Sequence, residues 1–273
     1  MKEMEQTKPD NARQSVRDRY SQLATASPCG CGSSLTLSCC AAKPAAADTM
    51  AQRIGYSKEE LADLIDGANM GLGCGNPGAI GKLKPGETVL DLGSGGGIDC
   101  FIAARAVGDT GRVIGVDMTP EMVSKARENA EKLKTINVEF RLGEIEHLPA
   151  ADGEADVILS NCVINLSPEK TKVFREAYRV LKPGGRLAIS DVVSIAPLPD
   201  QLREQAAMMT GCVVGAETVE HLEGLLKQSG FVDIRIQVRK ESREFIKEWF
   251  PGSGVENYVA SANIEAIKPF QTN

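Results

Sequence analysis

The sequence predicts an α/β fold: a doubly wound, mostly parallel sheet that ends in an antiparallel strand pair and a small C-terminal cover. Three observations carry that prediction. Strand-length apolar runs alternate with helix-length segments between residues 85 and 191, the rhythm of βαβ units around a parallel sheet. A glycine-rich turn, Asp91-Leu-Gly-Ser-Gly-Gly-Gly97, directly follows the first run, and an acidic residue, Asp117, closes the second.

The elements follow in order. Val16, Tyr20 and Leu23 stand at helical spacing, so residues 11–25 read as a short helix. Residues 26–49 are rich in Ser, Ala, Gly, Pro and Cys and read as a loop. Ser57-Lys-Glu-Glu60 has the form of a capping box and should open a helix to about Ala68. Met70 to Pro77 is glycine-rich and irregular. Strands are expected at Thr88–Leu92, Arg112–Asp117, Val138–Leu142, Asp156–Asn161 and Arg186–Asp191. Helices are expected from the glycine turn to about Val107, from Pro120 to about Leu133, and from Pro168 to Leu181, the last closed by Lys182-Pro-Gly-Gly185. Beyond Asp191, Pro197 and Pro199 break the chain. Gln201–Met209 and Glu217–Gln228 look helical, and Phe231–Val238 and Tyr258–Ile267 look like the antiparallel pair. The chain divides into N-terminal helices with a Cys-rich loop (1–69), a core (70–195) and a C-terminal region (196–273).

Composition excludes several function classes. With 273 residues and 42% hydrophobic content, a sizeable core can form. The formal charge of −6, the absence of long Lys/Arg runs and an aromatic content of 4% disfavour a nucleic-acid surface. No stretch approaches the roughly 18 apolar residues of a membrane span, and the polar N-terminus does not read as a secretory signal. A cytoplasmic monomer is expected. In that reducing compartment the eight cysteines (29, 31, 39, 40, 74, 100, 162 and 212) read as ligands, catalysts or core fillers rather than a disulfide frame.

A glycine turn opening a helix suits an anionic or nucleotide-like ligand, because free N–H groups and the helix dipole face it. Asp117 is placed to accept ribose hydroxyls. Asp91, ahead of the glycines, suits a cationic amino-acid end better than a pyrophosphate. Together with Val113-Ile-Gly-Val-Asp-Met118, Gly143-Glu-Ile-Glu146 and Arg179-Val-Leu-Lys-Pro-Gly-Gly185, these residues resemble the Rossmann-like class I S-adenosylmethionine-dependent methyltransferases. The resemblance implies that residues 70–195 bind S-adenosylmethionine and 196–273 bind the substrate. It gives Asp91, Gly93, Ser94 and Gly95 to the methionine end, Asp117 to the ribose, and Met118 and Ile145 to the adenine. Glu144 would accept from the exocyclic amine, and Asn161 would face the methyl.

The cysteines point to the substrate. Cys162 follows Asn161 at the carboxyl end of a strand, where open α/β sheets bind ligands. Cys74 in Gly71-Leu-Gly-Cys-Gly75 and Cys212 in Gly211-Cys-Val-Val-Gly215 lie in glycine-bounded segments that can reach the same edge. Three thiolates suit a soft trivalent metalloid. Arsenic(III) held so keeps a lone pair for the methyl and needs no general base. Leu72-Gly-Cys-Gly-Asn-Pro77, Ser160-Asn-Cys-Val-Ile-Asn-Leu166 and Gly211-Cys212 resemble arsenite methyltransferases over most of the chain. That resemblance implies arsenic bound at Cys162 and Cys212 throughout. It also implies that Cys74 is a ligand or forms a disulfide with an N-terminal cysteine, Cys39 or Cys40, reset by an external thiol such as thioredoxin or glutathione. Arsenite and methylated arsenicals are the expected substrates. Cys100 reads as a core filler. Cys29 and Cys31 read equally as a capture pair or loop residues, and the spacing of the four N-terminal cysteines fits zinc poorly. The alternatives are a small-molecule C- or O-methyltransferase and a non-catalytic thiol-rich metalloid-binding protein.

Overall fold

A computed structural model of the protein describes residues 2–25, 44–209 and 211–270. The chain enters through α1 (Lys2–Thr25), α2 (Pro44–Ile54), α3 (Lys58–Leu61) and α4 (Pro77–Gly81). It then alternates through β1 (Thr88–Leu92), α5 (Ile98–Val107), β2 (Arg112–Asp117), α6 (Pro120–Leu133), β3 (Val138–Leu142), β4 (Ala155–Asn161), α7 (Lys170–Val180) and β5 (Leu181–Ser194). Next come α8 (Asp200–Met209), α9 (Gly211–Val214), β6 (Glu217–Thr218), α10 (Val219–Gln228), β7 (Val232–Arg239), α11 (Arg243–Ile246) and β8 (Val259–Ile267).

The strands form one eight-stranded sheet in the order β3-β2-β1-β4-β5-β8-β7, with β6 paired to β5 off that path. The pairs β1–β2, β1–β4, β2–β3 and β4–β5 are parallel. Strand β8 runs antiparallel between β5 and β7. Strand order reverses between β1 and β4, and ligands of open α/β sheets bind outside the carboxyl ends at such a point. The central strands are buried on both faces: Leu90, Leu92, Ile114, Ile158 and Leu159 are fully enclosed, as expected for a sheet covered by helices.

Several elements differ from the sequence reading. The helix opened by Ser57 has its capping box but ends at Leu61 instead of reaching Ala68. The Arg105 guanidinium takes the Glu60 carbonyl, so a tertiary donor satisfies the helix end early. Helix α1 begins at Lys2, well before residue 11. Pro77 opens α4 where no helix was expected, with Asn76 as its cap accepting from the Ala79 N–H at 3.1 Å. Strand β5 runs to Ser194 because β8 pairs with it from Arg186 to Ser194.

Candidate active site

The turn after β1 forms the floor of a cavity of about 810 Å³. Gly93 has φ +70°, and a Cβ there would meet Val163 at 2.5 Å; only glycine suits both constraints. The Gly93 and Ser94 N–H groups donate to the Val116 carbonyl at 2.7 and 3.0 Å, which pins the turn to β2. Gly95 has φ +51° and nothing within 4 Å of where its Cβ would lie, so its backbone faces open space. Ser94 Oγ lines the cavity and is buried without a hydrogen-bond partner among the described residues. A buried hydroxyl in that state calls for a ligand atom.

Asp117 ends β2 at the cavity wall. Its carboxylate accepts from the Gly95 N–H at 3.0 Å and the Thr119 N–H at 2.9 Å, while burial pushes its pKa up. Met118 and Ile145 line the same side. Glu144 turns its carboxylate to Arg17 at 3.0 Å and Arg13 at 3.6 Å. Asp91 lies beneath the turn, 2% exposed, and accepts from the Cys100 thiol at 3.3 Å. Burial, reinforced by neighbouring Asp99, holds the Asp91 carboxyl well above its usual range. Cys100 is fully buried, and burial raises its thiol as well.

Helix α1 crosses the cavity mouth. Val16, Tyr20 and Leu23, the face read from helical spacing, line it. Arg13 fastens the helix: its guanidinium pairs with Glu146 at 3.1 Å and with Glu169. Glu146, 3% exposed, also takes the Ser167 hydroxyl at 2.6 Å. Burial raises the Tyr20 phenol well above its ordinary value, with Cys212 and Cys162 adding to the effect. Tyr20 lines the same cavity as Cys162 and Cys212.

The thiols gather at the carboxyl ends of β4 and β5. Cys162 leaves β4 with φ +60°, uncommon for a non-glycine residue, and its N–H donates to the Ser190 carbonyl at 2.8 Å. Cys74 is fully buried, and Cys162 and Cys212 are 9% and 8% exposed. The Cys212 thiol donates to the Cys162 carbonyl at 3.2 Å. The sulfurs of Cys74 and Cys162 and a carboxylate oxygen of Asp191 all lie within 4.8 Å of one another. Cys212 and Cys74, then burial, push the Cys162 thiol well up, and burial raises Cys74. Burial also lifts Asp191 to about 6, although backbone N–H groups from Val192, Asn165 and Ile164 oppose the rise.

The three core cysteines expected to converge are thus close together, and Cys162 and Cys212 border the same cavity as the glycine turn. Cys29, Cys31, Cys39 and Cys40 lie outside the described residues. The sequence reading missed Asp191, Asp99, Tyr56, Tyr20 and Arg13. Of these only Asp191 carried a signal, its place at the carboxyl end of a core strand.

The sheet, the turn and the cavity between them define a methyltransferase: residues 83–230 match the family described as methyltransferase domain. Within that class the chain belongs to the arsenite methyltransferases. It is 52% identical over 266 residues to the arsenite methyltransferase of Halobacterium salinarum, spanning 96% of this chain and 68% of that protein. It is 48% identical over 161 residues to the enzyme of Aquipseudomonas alcaligenes and 41% over 157 to that of Homo sapiens. Those matches cover 56% and 54% of this chain, but only 46% and 42% of the relatives' own length. The solved structure of the arsenic(III) S-adenosylmethionine methyltransferase from Chlamydomonas reinhardtii superposes with a TM-score of 0.58 at 32% identity, covering 85% of this chain and 75% of that one. No helix among the described residues is long and apolar enough to cross a membrane.

Proposed function

We propose that this chain methylates trivalent arsenic, taking arsenite and its methylated products, with S-adenosylmethionine as donor and Cys74, Cys162 and Cys212 as the sulfur ligands. The observation that carries the reading is the gathering of three buried thiols beside a cavity floored by the glycine turn. The unpartnered Ser94 hydroxyl and the open space above Gly95 support a donor in that cavity. When bound, the donor supplies an electrophilic sulfonium methyl for the arsenic lone pair.

The chain's own residues do the rest. Asp117 receives the ribose hydroxyls, Met118 and Ile145 flank the adenine, and Glu144 stands by its amine. Gly93, Ser94 and Gly95 cradle the methionine end over Asp91, and Asn161 borders the methyl. With their titration raised, the Cys74 and Cys162 thiols keep their protons until arsenic arrives. Arsenite then exchanges three hydroxides for three sulfurs; each thiol proton leaves with a hydroxide as water, so no base is consumed. Burial under α1 keeps competing water from the methyl. Attack by the arsenic lone pair would release S-adenosylhomocysteine and leave the methylated arsenic formally pentavalent; two electrons from Cys74 and Cys39 or Cys40 would return it to the trivalent state, closing a disulfide that an external thiol of the thioredoxin or glutathione type reopens, which fits a reducing cytoplasm. A monomer suffices for this chemistry.

The test is Cys162→Ser and Cys212→Ser, measured separately for arsenite methylation and for donor binding by calorimetry. Methylation should disappear while donor affinity stays. Normal methylation by both variants would overturn the reading.

A further inference from the structure

Cys74 is held by its backbone as much as by its sulfur environment. Its N–H donates to Asn161 Oδ1 at 3.0 Å, and its carbonyl accepts from the Ser261 hydroxyl at 2.7 Å. Asn161 Nδ2 donates to the next carbonyl, Gly75, at 2.8 Å. At Gly73, φ is +118° and a Cβ would lie 2.9 Å from the Asn161 carboxamide. The loop therefore folds tightly around that one side chain.

The Asn161 amide grips Cys74 only if its oxygen faces the Cys74 N–H. A flipped amide would set oxygen against the Gly75 carbonyl and leave the N–H unpaired. What fixes the orientation lies on the far side. The Tyr56 phenol donates to Asp99 Oδ1 at 2.7 Å, so its oxygen lone pair accepts from Asn161 Nδ2 at 2.9 Å. Asp99 Oδ2 lies 3.4 Å from the same nitrogen. Tyr56 and Asp99 are 3% and 5% exposed, so neither is repaired by bulk water. Asn161 and Asp99 also line the donor cavity, yet Tyr56 does not.

We propose that Tyr56 is a positioning residue for the metalloid site: by occupying Asp99 and orienting the Asn161 amide, its hydroxyl holds the Cys74 loop against Cys162. Without that hydroxyl, the Asp99 carboxylate competes for the Asn161 amide nitrogen and draws it from Gly75. The metalloid then loses a preorganised third sulfur, while the donor contacts of the glycine turn are untouched. The kinetic consequence rests on the arsenite reading above; the backbone consequence does not.

Tyr56→Phe keeps the ring and removes the hydroxyl. Amide hydrogen exchange over residues 71–76 should accelerate by roughly tenfold, the worth of a buried hydrogen bond to a charged group, with β1 and β4 unchanged. The KM for arsenite should rise by about tenfold while the KM for S-adenosylmethionine moves by less than about twofold. In a Cys74→Ser background, adding Tyr56→Phe should leave the affinity for arsenite, read by titration calorimetry rather than by turnover, where it was, the non-additivity of residues acting through one another. Unchanged exchange in the loop, equal rises in both KM values, or full additivity with Cys74→Ser would each overturn the proposal. If the wild-type chain fails to methylate arsenite, the functional reading falls, and the exchange measurement still decides the role of Tyr56.

Discussion

The donor half and the thiol half of this active site are built in opposite ways. The donor half uses three segments that follow successive strands: the turn after β1, the end of β2 and the start of the loop after β3, each fixed by neighbours in a parallel ladder. The thiol half draws Cys74, Cys162, Asp191 and Cys212 from four separate segments and holds them by side-chain bonds, Asn161 to Cys74, Ser261 to Cys74 and Asn165 to Asp191. The first is a property of a turn. The second exists only when the whole sheet is assembled. A change in the donor half should therefore act locally, and a change in the thiol half should propagate through its supports.

Gly93→Ala is the strongest way to break that separation, because Gly93 and Val163 are where the two halves touch. The new methyl would meet Val163, the residue after Cys162, in a backbone conformation that favours glycine. Donor affinity should fall by roughly a hundredfold, a strain and clash of about 2–3 kcal/mol, and arsenite binding should weaken as well. Adding Val163→Ala should recover part of the donor affinity, which titration calorimetry on the single and double variants would read. No recovery would locate the damage in the turn alone.

Arg13→Ala probes the strap over the donor half. Among the described residues it leaves buried Glu146 with only the Ser167 hydroxyl, a loss of charge pairing that favours release of α1. Donor affinity should drop by about tenfold, and limited proteolysis should cut within α1. Unchanged donor affinity with an intact α1 would show that Arg13 does not fasten the mouth.

A third expected effect is on stability against pH. Burial, opposed by hydrogen bonds from Tyr56 and Asn161, lifts the Asp99 carboxyl from an ordinary 3.8 to about 6. Between those values the folded chain binds more protons than the unfolded one. Stability from this group is therefore full below about 4 and is lost as pH rises through about 6, by about 3 kcal/mol. Asp99→Asn should flatten that part of a denaturation series run from pH 4 to 8. An unchanged slope would assign the titration to another buried carboxyl, such as Asp191.

Legibility followed the same division. Strands Thr88–Leu92, Arg112–Asp117 and Val138–Leu142 and helix Pro120–Leu133 have the bounds that their apolar runs and Pro120 indicate. Boundaries set by distant partners were not legible. Helix α3 stops where Arg105 reaches the Glu60 carbonyl, and β5 lengthens because β8 lies alongside it. Glu144 was placed from its motif, but its ion pairs with Arg13 and Arg17 come from a helix far away in sequence.

By itself the sequence determined the alternating core, the glycine turn with Asp117 beyond it, and which cysteines were candidates for one site. These follow from apolar periodicity and from local backbone rules that act over a few residues. Only the tertiary structure decided that Asp191 joins the thiols, that Tyr20 and Arg13 close the mouth, and that Tyr56 steadies Cys74 through Asn161. Each of those depends on side chains from distant segments meeting in a buried space. There an unpaired polar atom is costly, so partners are chosen by packing and hydrogen bonding, which spacing along the chain does not record.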